Sequence, residues 1–171
     1  MKKRNEMKTR WLWFIAILAI SILISSCTGQ TSQTTPSGAN GWLSGSTQEK
    51  FDTIAKHLRG NDIVMIEVDW RMNELAKAGL LENWERAKYQ IKKMHLSMKL
   101  GTERRPKRED SYNWFFSTAF PPIEEAIENQ DQQQFVERFP IFVQQCNTCH
   151  AMEDVPHFIV ELPTVFAQVS K

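Results

Sequence analysis

Beyond residue 47 the apolar positions recur every three or four residues, the period of one helix face and not of a strand. A first segment, Gln48 to Leu58, follows the capping candidates Ser46 and Thr47 and ends against Gly60. A second, Asp62 to Ala78, sets Met65, Val68, Met72 and Leu75 at spacings of 3, 4 and 3, with Gly79 as its stop. A third, Leu81 to Lys99, carries Trp84, Ala87, Ile91, Met94 and Met98, with Gly101 as its stop. A fourth, Arg108 to Asn129, has Tyr112, Phe115 or Phe116, Ala119, Ile123 and Ile127 on its stripe, and Pro121-Pro122 should break or kink it. A fifth, Asp131 to Met152, has Phe135, Phe139, Phe142, Cys146 and Cys149 on its stripe, with Pro140 as a kink.

The pattern predicts an all-α fold: an antiparallel four-helix bundle with a short preceding helix and an irregular C-terminal tail from Glu153 to Lys171. Each stripe alone is marginal in water, and packed together they form one core. The length of 171 residues suits one domain, and 42% apolar with 24% charged residues excludes wholesale disorder and a multi-span membrane protein.

Charge changes the picture at the N-terminus. Lys2, Lys3, Arg4, Lys8 and Arg10 against Glu6 give residues 1–26 a net +4, leaving −3 for the rest of a chain whose total is +1. An uninterrupted apolar run, Trp11 to Ile24, follows, and it is short for a membrane span of about 20 residues. A basic start, an apolar core and small residues make a secretory signal. Ile24-Ser25-Ser26-Cys27 resembles the bacterial lipoprotein box, which implies cleavage before Cys27 and lipidation of its thiol. The alternatives are an uncleaved anchor helix and a plain signal peptide. Residues 27–47, rich in Ser, Thr, Gln and Gly, read as a flexible tether ahead of a domain at 48–171. The expected location is extracytoplasmic, lipid-anchored to a bacterial membrane, on the periplasmic side or the cell surface.

The other two cysteines lie in Cys146-Asn147-Thr148-Cys149-His150, the Cys-x-x-Cys-His pattern of covalent c-type haem attachment. One helical stretch delivers two thiols to the two haem vinyl groups and an imidazole to the iron. The alternatives are a redox Cys-x-x-Cys, a chance disulfide and a zinc site. No strand pattern precedes Cys146, and further Cys or His at ligand spacing are absent. With one motif, one haem c is expected. The tail residues Phe158, Ile159, Leu162, Val165 and Phe166 are expected over the haem end or along the bundle.

A haem motif near the end of the last helix of a four-helix bundle resembles the cytochrome c′ class, over about residues 62–152. That class includes five-coordinate members and low-spin members with a Met ligand from the first bundle helix. The motif makes His150 the expected proximal ligand, and the up-and-down order of the helices ranks Met65 first as sixth ligand, then Met98, then His95 or His157, with His57 last, against a five-coordinate iron with an apolar distal pocket. Met72, seven residues beyond Met65, falls about 10 Å further along the helix. Arg104, Arg105, Lys107 and Arg108 crowd one loop at the haem end, where they suit haem propionates, an acidic redox partner, or simply solvent. Tyr112 and Trp114 are pocket-wall candidates, and Glu67 and Asp69 read as surface charges. Bundles of this class often form homodimers, although no exposed stripe decides that here.

No Ser-His-Asp arrangement or phosphate-cradling Gly loop is present, and nothing supports nucleic-acid binding. The leading expectation is a membrane-anchored monohaem electron carrier and not an enzyme. The alternatives are a five-coordinate protein binding NO or CO, and a peroxidase-like activity.

Overall fold

A computed structural model describes residues 35–169, so the expected export segment and Cys27 lie outside the described residues. The described residues divide into two units, 35–58 and 59–169. No helix among them is long and apolar enough to cross a membrane.

The first unit holds α1, Thr47–His57. Ser46 and Glu49 form a reciprocal capping box, with the Ser46 N–H donating to Glu49 Oε2 at 2.7 Å. The helix buries no residue. The described part of the expected tether is not featureless. It makes a tight reversal bridged by Ser37 and Leu43, with Gly38, Asn40 and Gly41 at positive φ. Trp42 then meets the His57 ring edge-on at 4.9 Å. Gly38, Asn40 and Gly41 tolerate the positive φ that so sharp a turn requires. Helix α1 lies in the first of the two units.

The second unit is an all-α bundle: α2 Asn61–Leu80, α3 Trp84–Arg104, α4 Glu109–Thr118, α5 Phe120–Glu128, α6 Gln132–Met152 and a short α7, Thr164–Val169. Helices α2 and α3 make the most extensive pairing. Gly101 meets Val64, Arg71 donates to Gln90 at 3.1 Å, and Glu74 pairs with Arg86, so numbers rise along one helix as they fall along the other. The turn between them follows from Glu82 in the left-handed region and from Asn83, whose side chain caps α3 by accepting from the Arg86 N–H at 3.1 Å.

Of the three glycines expected to stop helices, Gly60 lies just beyond the end of α1, but Gly79 and Gly101 lie inside α2 and α3. A Cβ on Gly79 would fall 2.1 Å from the Phe135 ring, so this glycine admits a neighbouring aromatic and does not cap a helix. Gly101 is buried against Val64 in the same way, and α3 continues past it to Arg104. What ends α3 is Pro106, which disfavours the helical conformation at Arg105, found at φ −138° and ψ 71°. Pro121-Pro122 do divide the fourth segment: they sit in the first turn of α5, where proline is tolerated, and the break falls at Ala119. Pro140 is exposed and lies inside a continuous α6.

The core is aromatic. Phe115, Phe120, Phe135, Phe139 and Phe142 are buried, and the tail returns along the bundle to stack Phe166 on Phe139 at 4.8 Å. This packing fixes α6 along its length and leaves its C-terminal end, with the motif, at one end of the core.

Candidate functional site

The motif occupies the last turns of α6. A three-residue step on a helix of 3.6 residues per turn keeps Cys146 and Cys149 on one face, and both are buried. They are free thiols. Cys146 donates to the Phe142 carbonyl at 3.4 Å and Cys149 to the Ser111 carbonyl at 3.9 Å. Burial, reinforced by the neighbouring Cys149, pushes the Cys146 thiol up to about 12. Burial raises Cys149 too, against the opposing pull of its Ser111 hydrogen bond and of Arg108. A redox pair needs a thiolate stabilised at a helix N-terminus. This pair sits at a C-terminal end, where the helix dipole disfavours negative charge.

His150 has its orientation set from outside the helix. Its Nδ1 lies 2.5 Å from the Phe158 carbonyl oxygen. A carbonyl only accepts, so Nδ1 carries the proton and the neutral ring keeps its lone pair on Nε2. Two further ties hold the end of α6. Arg108 forms an ion pair with Glu153, and Ser111 Oγ donates to the same carboxylate. Arg108 also donates to the Glu153 carbonyl at 3.3 Å.

A cavity of about 550 Å³ opens beside the motif. That volume lies within the ~300–1,000 Å³ of typical small-molecule and cofactor pockets. Its wall on α2 is the face Asp62, Met65, Ile66 and Asp69, at the i, i+3, i+4, i+7 spacing of one helical stripe. Facing contributions come from Tyr112 on α4, from Cys149 and His150 on α6, and from Phe158 in the tail. A smaller cavity of about 50 Å³ shares Met65, Asp69, Tyr112, Cys149 and His150 and reaches inward to Met72, Met98 and Cys146.

The polar inventory of the larger cavity is incomplete. Tyr112 is buried and its hydroxyl has no partner, nor does Asn61 Oδ1. Burial holds the Tyr112 phenol far above its ordinary range, which keeps it a neutral donor. An unpaired buried hydroxyl is costly, so it marks a place where a bound group would supply the acceptor.

The structure brings together Cys146, Cys149, His150, Met65 and Tyr112. Met98 and Met72 line the inner cavity alone, although Met72 was expected too far along the bundle. Arg104, Arg105 and Trp114 do not line either cavity. Arg105 instead donates to the Arg104 and Arg59 carbonyls, and Arg108 is the member of the basic loop on the wall. His95 stacks at 4.9 Å on Phe120, away from the cavities, and His157 lies against Phe158. Asp69, read as a surface charge, borders both cavities while remaining exposed. Asn61, Ser111 and Glu153 carry no signal in the sequence that would have placed them here.

No family model, curated protein or solved structure matches this chain. The chemistry therefore rests on the residues themselves. Among the described residues no three His, Cys, Asp or Glu side chains gather as a metal site, which leaves the zinc alternative without a ligand set. Two buried free thiols, an imidazole with a free Nε2, a cavity wall that is mostly apolar and an unpaired hydroxyl donor all fit a covalently held haem.

Proposed function

We propose that the chain is a membrane-anchored monohaem c-type cytochrome that carries electrons outside the cytoplasm. The observation that carries this reading is the 2.5 Å contact of His150 Nδ1 with the Phe158 carbonyl beside a cavity bordered by the motif thiols, since a proton on Nδ1 leaves the Nε2 lone pair for a ligand. Haem supplies one-electron ferric–ferrous chemistry when bound. The chain's own residues do the rest. Cys146 and Cys149 hold the group through thioether links, and His150 presents Nε2 to the iron. Met65, on the α2 wall of both cavities, is the first candidate for a sixth ligand. Tyr112 donates to an acceptor on the bound group. The aromatic core excludes water from the buried side. Of the basic loop, the exposed Arg105 and Lys107, off the cavity wall, are the side chains open to an acidic redox partner. Cys27 supplies the lipid anchor.

A second reading, binding of NO or CO at an open sixth position, rests on the mostly apolar wall of the larger cavity, which would exclude anions and admit a small neutral gas. Absorption spectra of the matured domain, ferric and ferrous, with and without CO, separate the two. Electron transfer predicts a low-spin ferrous form that resists CO, with a weak red sulfur-to-iron band when oxidised, and Met65→Ala abolishes that band. A high-spin form that binds CO at once refutes Met65 ligation and favours gas binding.

A further inference from the structure

The tail immediately after the motif is held in an unusual way. Residues 156–159 are all exposed, with Phe158 at 62% and Ile159 at 72%, so burial does not fix this strap. Its Phe158 carbonyl is nevertheless the acceptor for His150 Nδ1–H. The strap is tied at its start by the Val155 N–H to the His150 carbonyl at 2.9 Å, and Phe158 N–H turns back to the Val155 carbonyl at 3.1 Å. At its far end the tie is a side chain. Asn147 Nδ2 donates to the Val160 carbonyl at 2.9 Å, and Asn147 Oδ1 accepts from the Val160 N–H at 2.8 Å. One carboxamide thus satisfies both backbone groups of one residue, as a neighbouring strand would.

We propose that Asn147, a spacer residue between the two motif cysteines, is a positioning residue for the iron ligand. It clamps Val160, the clamp holds the Phe158 carbonyl two residues earlier, and that carbonyl fixes the ring orientation and basicity of His150. This rests on the haem reading above. A carbonyl held on Nδ1–H makes the opposite nitrogen a stronger donor, which favours the ferric state. Asn147 itself lines neither cavity, and the residue it holds, Val160, borders only the smaller one, so its effect on His150 runs through the strap.

The test uses the matured haem-loaded chain and two variants, Asn147→Leu and Asn147→Asp. Leu keeps the size and removes both bonds. Asp keeps the acceptor for the Val160 N–H and sets a carboxylate against the Val160 carbonyl. Three quantities are read: covalently bound haem, the reduction potential, and amide hydrogen exchange over residues 155–161. The expected result is full covalent haem in all three proteins and faster exchange in the strap for Asn147→Leu. Its ferric–ferrous equilibrium should shift about tenfold toward ferrous, a rise of ~59 mV for a one-electron couple, with Asn147→Asp in between. An unchanged potential with a loosened strap overturns the proposal, because the strap then does not tune His150. An unchanged strap overturns the clamp itself. A variant that folds with an intact strap yet lacks haem assigns Asn147 to attachment, which also overturns it. If Asn147→Leu does not fold, Asn147→Asp alone must show both shifts or the proposal falls. Absence of covalent haem from the unsubstituted chain overturns the haem reading, and this proposal with it.

Discussion

Tyr112→Phe should have opposite consequences with and without the bound group. Tyr112 lines both cavities, and its buried hydroxyl finds no partner among the described protein atoms. A buried hydroxyl without a hydrogen bond carries a desolvation penalty of about 1–3 kcal/mol. Removing one oxygen leaves a void no larger than the cavity already beside it. In chain produced without residues 1–26, which on the proposed reading is not loaded with haem, Tyr112→Phe should therefore stabilise the fold by about 1–2 kcal/mol. For a unit near 100 residues that is a rise in Tm of roughly 4–8 °C per kcal/mol. In the matured protein the same substitution deletes a made hydrogen bond, and the gain should vanish or reverse. Urea unfolding of the four proteins measures both differences. Equal stabilisation in the two forms would show that nothing in the cavity accepts from Tyr112. Destabilisation above ~1 kcal/mol without haem would show that the hydroxyl is satisfied after all and would refute the reasoning.

Gly79→Ala should destabilise the bundle by about 1–3 kcal/mol, because a Cβ at 2.1 Å from the Phe135 ring outweighs the ~1 kcal/mol that alanine gains in a helix. Gly101→Ala, with its nearest contact at 3.1 Å to a Val64 methyl, should cost clearly less in the same denaturation assay. In folded chain without haem, Cys146 should react with iodoacetamide at pH 8 about a thousandfold more slowly than an ordinary cysteine, since burial pushes its thiol up to about 12. Mass spectrometry of partly alkylated protein reads this directly, and equal labelling would contradict the buried site. Glu74 is held below its ordinary carboxylate range, chiefly by its Lys77 hydrogen bond and also by Arg86. A depressed folded value means the stabilisation is complete above the unfolded value and is lost as pH falls through the folded one. Glu74→Gln should therefore flatten the fall in stability below about pH 4.5, as seen in acid titrations of Tm.

The stripes on α2, α3 and α6 were legible because period 3.6 is local information, and the buried residues Met72, Leu75, Ala87, Ile91, Met94, Phe135 and Phe139 are those the spacing picks out. Gly79 and Gly101 misled because a glycine looks the same whether it ends a helix or makes room for a neighbour, and only the position of Phe135 or Val64 tells the two apart. The motif was legible as chemistry, since Cys and His carry it at a fixed spacing. Its support was not. The Phe158 carbonyl on His150 is a backbone group, and any residue at 158 would offer it. The basic loop shows the limit in another form: four cations in five positions gave no means to see that Arg108, and not Arg104 or Arg105, lies on the cavity wall.

The central claim is that Cys146, Cys149 and His150 hold one haem. The measurement that tests it most directly is a denaturing mass determination of the chain matured through its own export signal, alongside Cys146→Ala and Cys149→Ala. The account predicts one haem per chain that survives denaturation, weakened attachment in either single variant and none in the double variant. A mature chain with both thiols free and no retained haem would contradict it.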